Sequence, residues 1–250
     1  MAEMQHYFIE KTASINDQII LDGEIAHRIV KVRRSQVSDE IELVDAEHNA
    51  YVAVIMALKG NEVLVKVVRE AVLNPELPVS STIVVGTSKG DKNEFIIQKA
   101  TEMGVQHIIF FNADYSISRI KSDKIDKKLS RYQKIAQQAA EQSRRENIPT
   151  VRLIDKLSEL SFTDYDTRLI AYEEAAKQHE HSALREALTA LRPSQRIIMV
   201  FGPEGGISPL EIGFLESKQF KAAALGNRIL RVETAPLYFL SALSYQLEMS

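Results

Sequence analysis

The feature that most limits what this 250-residue chain can fold into is a single change of hydrophobic rhythm at residues 73–78. Before it, short runs read with period-two alternation, at 39–44, 50–55 and 62–67. A strand with one buried face requires that period. Residues 1–72 are therefore predicted as a small β-barrel or sandwich. It has one helical candidate, 23–32, where Ile25, Ile29 and Val32 recur at helical spacing. Leu73-Asn74-Pro75-Glu76-Leu77-Pro78 then breaks the pattern, because proline has no N–H for a ladder and disfavours helix in the residue before it. The stretch 73–78 reads as a linker between domains 1–72 and 79–250.

Beyond the linker, short apolar runs alternate with segments of helical spacing, the signature of a mainly parallel α/β sheet. Strands are predicted at 82–86, 107–111, 151–154, 168–171, 196–201 and 222–225. A helix at 93–103 stripes Ile96, Ile97, Ala100 and Met103 on one face and stops at Gly104. A longer helix at 124–142 is expected to bury Ile125, Leu129, Tyr132, Ala136 and Ala139.

The chain has no cysteine, which excludes disulfides and thiol chemistry. It has neither a basic N-terminal region leading into an apolar run nor about 18 consecutive apolar residues, so an unexported, cytoplasmic protein without membrane partners is expected. Net charge is −3, which excludes a protein that coats polyanions through overall charge. Yet ten basic residues stand against four acidic ones between Tyr115 and Arg152. That run is either a solvated helix face or a local basic surface.

Chemistry concentrates in two loops that follow predicted strands. Phe201 leads into Gly202-Pro203-Glu204-Gly205-Gly206, and Ser208-Pro209-Leu210-Glu211 then reads as a capped helix start. Glycines here allow positive φ and close approach of backbone to a ligand, or simply build a tight turn. Leu225-Gly226-Asn227-Arg228-Ile229-Leu230-Arg231 precedes Glu233-Thr234-Ala235, with Thr234 a candidate N-cap; a salt-bridged turn is the plainer alternative. In a third loop Gly90 is followed by Asp91 where a phosphate-binding loop needs lysine, so a nucleoside triphosphatase is disfavoured. His179 and His181 lack a third ligand nearby, and no metal site is expected.

Taken together, Lys89-Gly90-Asp91-Lys92, the run from Ile97 to Gly104, Glu141-Gln142-Ser143-Arg144-Arg145 with Ile148-Pro149, and the two glycine loops resemble the bacterial 16S ribosomal RNA uridine-N3 methyltransferases, the ribosomal RNA small subunit methyltransferase E family. The resemblance runs in order along essentially the whole chain. It implies a SPOUT-type parallel sheet with a C-terminal trefoil knot, preceded by a small PUA-like β-barrel that binds RNA. It also implies S-adenosyl-L-methionine as cofactor, held by Ala171, Tyr172 and Glu173, by Phe201, Gly202, Pro203, Glu204, Gly205 and Gly206, and by Leu225, Gly226, Arg228, Ile229, Leu230 and Thr234. The implied substrate is 16S ribosomal RNA within the small ribosomal subunit, and the implied assembly is a homodimer in which Arg144 and Arg145 of the partner subunit line the RNA entrance. Further RNA contacts are expected from Arg28, Arg33 and Arg34, and from Lys89, Lys92 and Arg119. The turns at Ser38 and at 46–49 depart from the family's preference for glycine.

A uridine N3 must lose its proton before it can attack a methyl group, so a base or an anion-stabilising cation is required. Arg231 is the candidate for stabilising the uracil anion. Glu204 and Glu233 are candidates either for the base or for anchors of their loops. A non-catalytic RNA-binding protein with a degenerate knotted domain is the competing reading, against which the retained loops and Arg231 stand.

Overall fold

A computed structural model describes residues 4–73, 75–120, 122–172 and 182–249 in two units, one of Met1–Pro75 with Glu141–Asn147 and one of Glu76–Ala140 with Ile148–Ser250.

The first unit is a five-stranded sheet of β1 (Gln5–Phe8), β2 (Gln18–Leu21), β3 (Glu40–Val44), β4 (Ala50–Lys59) and β5 (Glu62–Glu70), in the order β1-β3-β4-β5-β2. Only the β1–β3 pair is parallel. Alternate residues Tyr51, Ala53 and Ile55 of β4 and Val63, Val65 and Val67 of β5 are buried together with Ile41 and Leu43. Ala26 and Ile29, from helix α1 (Gly23–His27) and the π-turn Arg28–Val32 that continues it, close that core.

The turns that depart from glycine in the sequence place their side-chain residues in the left-handed region, Ser38 at φ 78 and His48 at φ 65. Asp45 holds the second turn. Its carboxylate accepts from the N–H groups of Glu47 and Asn49 at 2.9 Å and of Ala13 at 3.1 Å. Burial alone would raise that carboxyl, but these hydrogen bonds outweigh it and hold it below the ordinary value.

Residues 141–147 add an ionic clasp to the same unit. Glu141 takes a two-pronged bond from Arg28, with Nη2 to Oε1 at 2.9 Å. Glu42, 3% exposed, accepts from Arg144 Nε at 3.0 Å and lies 3.2 Å from His6 Nδ1. His6 Nε2 donates to the Arg145 carbonyl at 2.8 Å. Arg144 itself is left-handed at φ 56, reversing the chain just past a helix end.

The second unit is built on six parallel strands, β6 (Ser80–Gly86), β7 (His107–Phe111), β8 (Thr150–Ile154), β9 (Thr167–Ala171), β10 (Arg196–Phe201) and β11 (Lys221–Ala223), in the order β11-β9-β10-β6-β7-β8. Because both faces are covered, the central strands are continuously apolar rather than alternating. Ile197, Met199 and Phe201 pack with Ile83 and Val85 on one face, and Ile198 and Val200 with Val84 on the other. Each such side chain contributes about 1.5–3 kcal/mol when fully buried.

The first face is covered by α2 (Lys92–Glu102), α3 (Ile125–Gln142), α4 (Ser182–Ala190) and α6 (Ala235–Glu248) through Ile96, Ala100, Tyr132, Leu184, Phe239 and Leu243. The second is covered by Leu157, Phe162, Phe220 and, from α5 (Pro209–Ser217), Leu215. The six strands fall where the apolar runs predict them, within two residues at either end. Gly104, at φ +86, ends α2.

Candidate functional site

Strands β9, β10 and β11 are neighbours in the sheet and point the same way, so the loops leaving Ala171, Phe201 and Ala223 emerge along one carboxyl edge. Open α/β sheets bind ligands along such edges. Here the loops surround a cavity of about 1270 Å³. Buried Phe201, Ala223 and Val232 form apolar lining, while Lys92, Glu204, Arg228 and Arg231 bring charge to the wall. Tyr172, whose N–H reaches the Ala223 carbonyl at 3.4 Å, links two of the loops.

The first glycine loop is shaped by its contact with the rest of the unit. A Cβ on Gly202 would stand 2.8 Å from Ile207 Cγ1, and one on Gly205 would stand 2.8 Å from both Cβ and the carbonyl oxygen of Tyr115. Gly86, at the end of β6, has the same constraint from Pro203, 2.5 Å away. Gly202 meets its own loop, the tight-turn alternative, while Gly205 and Gly86 admit other segments of the chain, a reason the sequence does not offer. Gly206 fits the original reason: its φ is +79 and a Cβ there would meet nothing within 4 Å.

Past the loop, Ser208 caps α5 as its motif predicts. Ser208 Oγ accepts from the Glu211 N–H at 3.2 Å and Glu211 Oε2 accepts from the Ser208 N–H at 2.9 Å. Ser208 Oγ also donates to Asp114 at 2.5 Å, and the Asp114 N–H donates to Glu211 Oε1 at 3.1 Å. Two chain segments far apart in sequence are thereby fixed beside one another.

Lys92, in the first turn of α2, bridges both glycine loops. Its ammonium lies 2.7 Å from Glu204 Oε1 and 3.6 Å from Glu233 Oε2. The bond to Glu204 and the two nearby carboxylates raise the Lys92 ammonium above its ordinary value, against a smaller opposing effect of burial. Burial pushes the Glu204 carboxyl up, but the hydrogen bonds and charge of Lys92 prevail and leave it below its ordinary value. Glu233 Oε2 is buried without a hydrogen bond among the described residues.

In the second loop Gly226 takes φ +86, and Arg228, Ile229 and Arg231 are exposed beside the cavity. The turn into α6 is held by the Thr234 and Ala235 N–H groups, which donate to the Arg231 carbonyl at 2.8 and 3.0 Å. Thr234 precedes the helix without a side-chain capping bond, so backbone turns set this start, not the cap read in the sequence.

The cavity brings together Ala171, Tyr172, Phe201, Gly202, Pro203, Glu204, Gly205, Gly206, Leu225, Gly226, Arg228, Ile229, Leu230 and Arg231. Thr234 and Glu233 stand beside the lining rather than in it, and Glu173 lies outside the described residues. Ala223, Ala224, Asn227, Ile207, Val232 and Ala235 complete the wall, and continuing the motifs by a residue or two would have found most of them. The place of Lys92 between two carboxylates carries no signal in a single sequence.

Of the basic residues, Arg33, Arg34, Lys89 and Arg119 are exposed. Arg28 and Arg144 are engaged by Glu141 and Glu42, and Arg145 is 1% exposed.

Residues 75–244 match the family model described as an RNA methyltransferase domain. Over 251 residues, 98% of each chain, the protein is 38% identical to the ribosomal RNA small subunit methyltransferase E of Bacillus subtilis (strain 168). A crystal structure of a ribosomal RNA small subunit methyltransferase E from Neisseria gonorrhoeae bound to S-adenosyl methionine is similar with a TM-score of 0.84 and 28% identity over 97% of each chain. A further crystal structure, of a hypothetical protein, is 35% identical with a TM-score of 0.85, covering 98% of this chain and 99% of that one.

Proposed function

The chain belongs to the ribosomal RNA small subunit methyltransferase E family, and from that premise we propose that it methylates N3 of a uridine in 16S ribosomal RNA with S-adenosyl-L-methionine as donor. The observation that carries the reading is the cavity at the carboxyl edge of β11-β9-β10, walled by both glycine loops. Apolar lining from Phe201, Ala223 and Val232 suits a purine and sugar, and the charged wall suits an amino-acid end. The open space at Gly206 leaves backbone accessible there. When bound, the cofactor supplies a methyl group on a sulfonium that leaves as a neutral thioether.

The residues have separable tasks. Lys92 holds Glu204 ionised and ties both loops, which makes Glu204 an anchor and a poor proton acceptor. Glu233, beside the lining and with its Oε2 3.6 Å from the Lys92 ammonium, is the more weakly held of the two carboxylates and is assigned the N3 proton. Arg231, exposed on the cavity wall, stabilises the uracil anion that results. Alignment of the two reactants supplies the rest of the acceleration.

The finer architecture belongs to the same reading: a trefoil knot formed by the second glycine loop and α6, a PUA-like barrel in the first unit that binds RNA through Arg33 and Arg34, a homodimer, and action in the cytoplasm on the small ribosomal subunit. The parallel sheet, the five-stranded first unit and the absence among the described residues of a helix long and apolar enough to cross a membrane support it.

The test is incubation with small-subunit particles and labelled cofactor, followed by mass-spectrometric mapping of methylated nucleosides. Label on a single uridine is expected. Cofactor binding without label on any uridine would favour a non-catalytic RNA-binding role.

A further inference from the structure

The loop of residues 112–120 presents two large apolar side chains to solvent, Tyr115 at 50% and Ile117 at 63% exposure. Single exposed apolar residues are ordinary. Tyr115 differs in where it sits and how firmly. Its Cβ and carbonyl oxygen are the atoms that leave no room for a side chain on Gly205, a residue of the cavity wall. Tyr115 thus sits with its backbone against the Gly205 edge of the cavity, outside the lining, and with its side chain half exposed.

Its backbone is braced on several sides. Asn112 closes the loop base, donating to the Ile120 carbonyl at 3.0 Å and accepting from the Ile120 N–H at 2.8 Å. Thr87 Oγ1 donates to the Ser118 carbonyl at 2.7 Å, and the Ser116 N–H donates to the Ala113 carbonyl at 2.9 Å. The Asp114 N–H is held by Glu211. Exposed Arg119 lies on the same loop, with Nη2 donating to the Asp114 carbonyl at 3.3 Å, and exposed Lys89 lies two residues from Thr87, which bonds that loop.

We infer that Tyr115 is a stacking platform for an unpaired nucleobase at the Gly205 edge of the cavity, with Arg119 and Lys89 taking the adjoining phosphates. The inference rests on the cavity being the methyl-donor site. Unpaired bases in RNA are recognised by stacking on aromatic faces, and an aromatic on a fixed backbone loses little freedom when it engages one. No change in the loop is needed, since the ring already faces solvent.

The chain has no tryptophan, so Tyr115→Trp creates a sole indole reporter. With cofactor saturating, a short uridine-containing RNA is expected to quench it, and an abasic oligomer with the same phosphates is not. Tyr115→Ala keeps the Cβ that meets Gly205, and it is expected to weaken affinity for that RNA about 5- to 150-fold, the loss of one stacked base. Tyr115→Phe should retain affinity and Tyr115→Leu should not, while calorimetric cofactor affinity stays unchanged in all three. Equal quenching by the abasic oligomer, or unaltered RNA affinity in Tyr115→Ala, overturns the inference. So does a change of oligomeric state in Tyr115→Ala by sedimentation, which would assign the ring to a subunit contact. If the wild-type protein neither binds cofactor nor methylates RNA, the methyl-donor reading fails instead.

Discussion

Lys92 shows how one side chain can define two walls of a cavity. Replacing Glu204 with glutamine removes its stronger contact, and the pair is a third exposed on both sides, so the stability cost is expected to be only about 0.2–1 kcal/mol. The pH window follows from the two directions of shift. Glu204 is depressed in the folded state, so its contribution is full above 4.5, its ordinary value, and is lost as pH falls through the lower folded value. Lys92 is raised, so its contribution is full below 10.5 and is lost as pH rises through the higher folded value. Thermal midpoints of wild type and Glu204→Gln should therefore differ at neutral pH and converge at both extremes. The glycines separate by cause as well. Gly205→Ala drives a Cβ against the backbone of Tyr115 and should cost about 1–3 kcal/mol by urea unfolding. Gly206→Ala meets no atom but forces a left-handed alanine, a penalty of roughly 1–2 kcal/mol.

Among the elements, the helix α3 and the turn after it illustrate what a single sequence reveals and what it withholds. The apolar stripe of Tyr132, Ala136 and Ala139 marks the helix, and its bounds, Ile125–Gln142, lie one residue from the predicted start. The six central strands are legible for the same reason, because five consecutive apolar residues such as 197–201 have few places to go but a sheet covered on both faces. The partners of Arg144 and Arg145 are not legible. Glu42 and His6 are about a hundred residues or more away, and an exposed arginine and a buried one look alike in sequence. The short β1 and β2 escape notice because four residues each are too few for an apolar period to stand out. Both glycine loops could be found from composition and position after a strand. The reason for Gly205 could not, since Tyr115 supplies it, whereas the tight turn at Gly202 and the positive φ of Gly206 are reasons the sequence offered. A consequence for mutagenesis follows. Arg144→Ala removes the arginine that pairs with the carboxylate of Glu42, 3% exposed, and should lower stability by about 1–3 kcal/mol in urea unfolding. Lost RNA affinity in that variant means something only below its shifted melting temperature.

For the molecule as a whole, a net charge of −3 means that attraction for RNA must come from a few exposed cations rather than from the overall field. Removing Lys89 and Arg119 together should flatten the dependence of log affinity for single-stranded RNA on log salt by about 1.4, or about 0.7 for each lost phosphate contact. Cofactor affinity measured in the same salt series should not follow. An unchanged slope would move the phosphate contacts elsewhere.

The ionic clasp at residues 141–147 also bears on the order of events during synthesis. Residues Met1–Pro75 supply all five strands of the first unit, yet that unit is completed by a turn that follows α3. On a ribosome adding about 5–20 residues per second, the sheet emerges seconds before Glu141 and Arg144 arrive. During that interval Arg28 lacks Glu141, and Glu42 has His6 but lacks Arg144. The nascent sheet is thus held short of its final stability until α3 has been made, and the β6–β10 pairing, which joins residues 80–86 to 196–201, comes later still. Chain closure in this protein runs against the direction of translation: the first strands made wait for later segments to secure them.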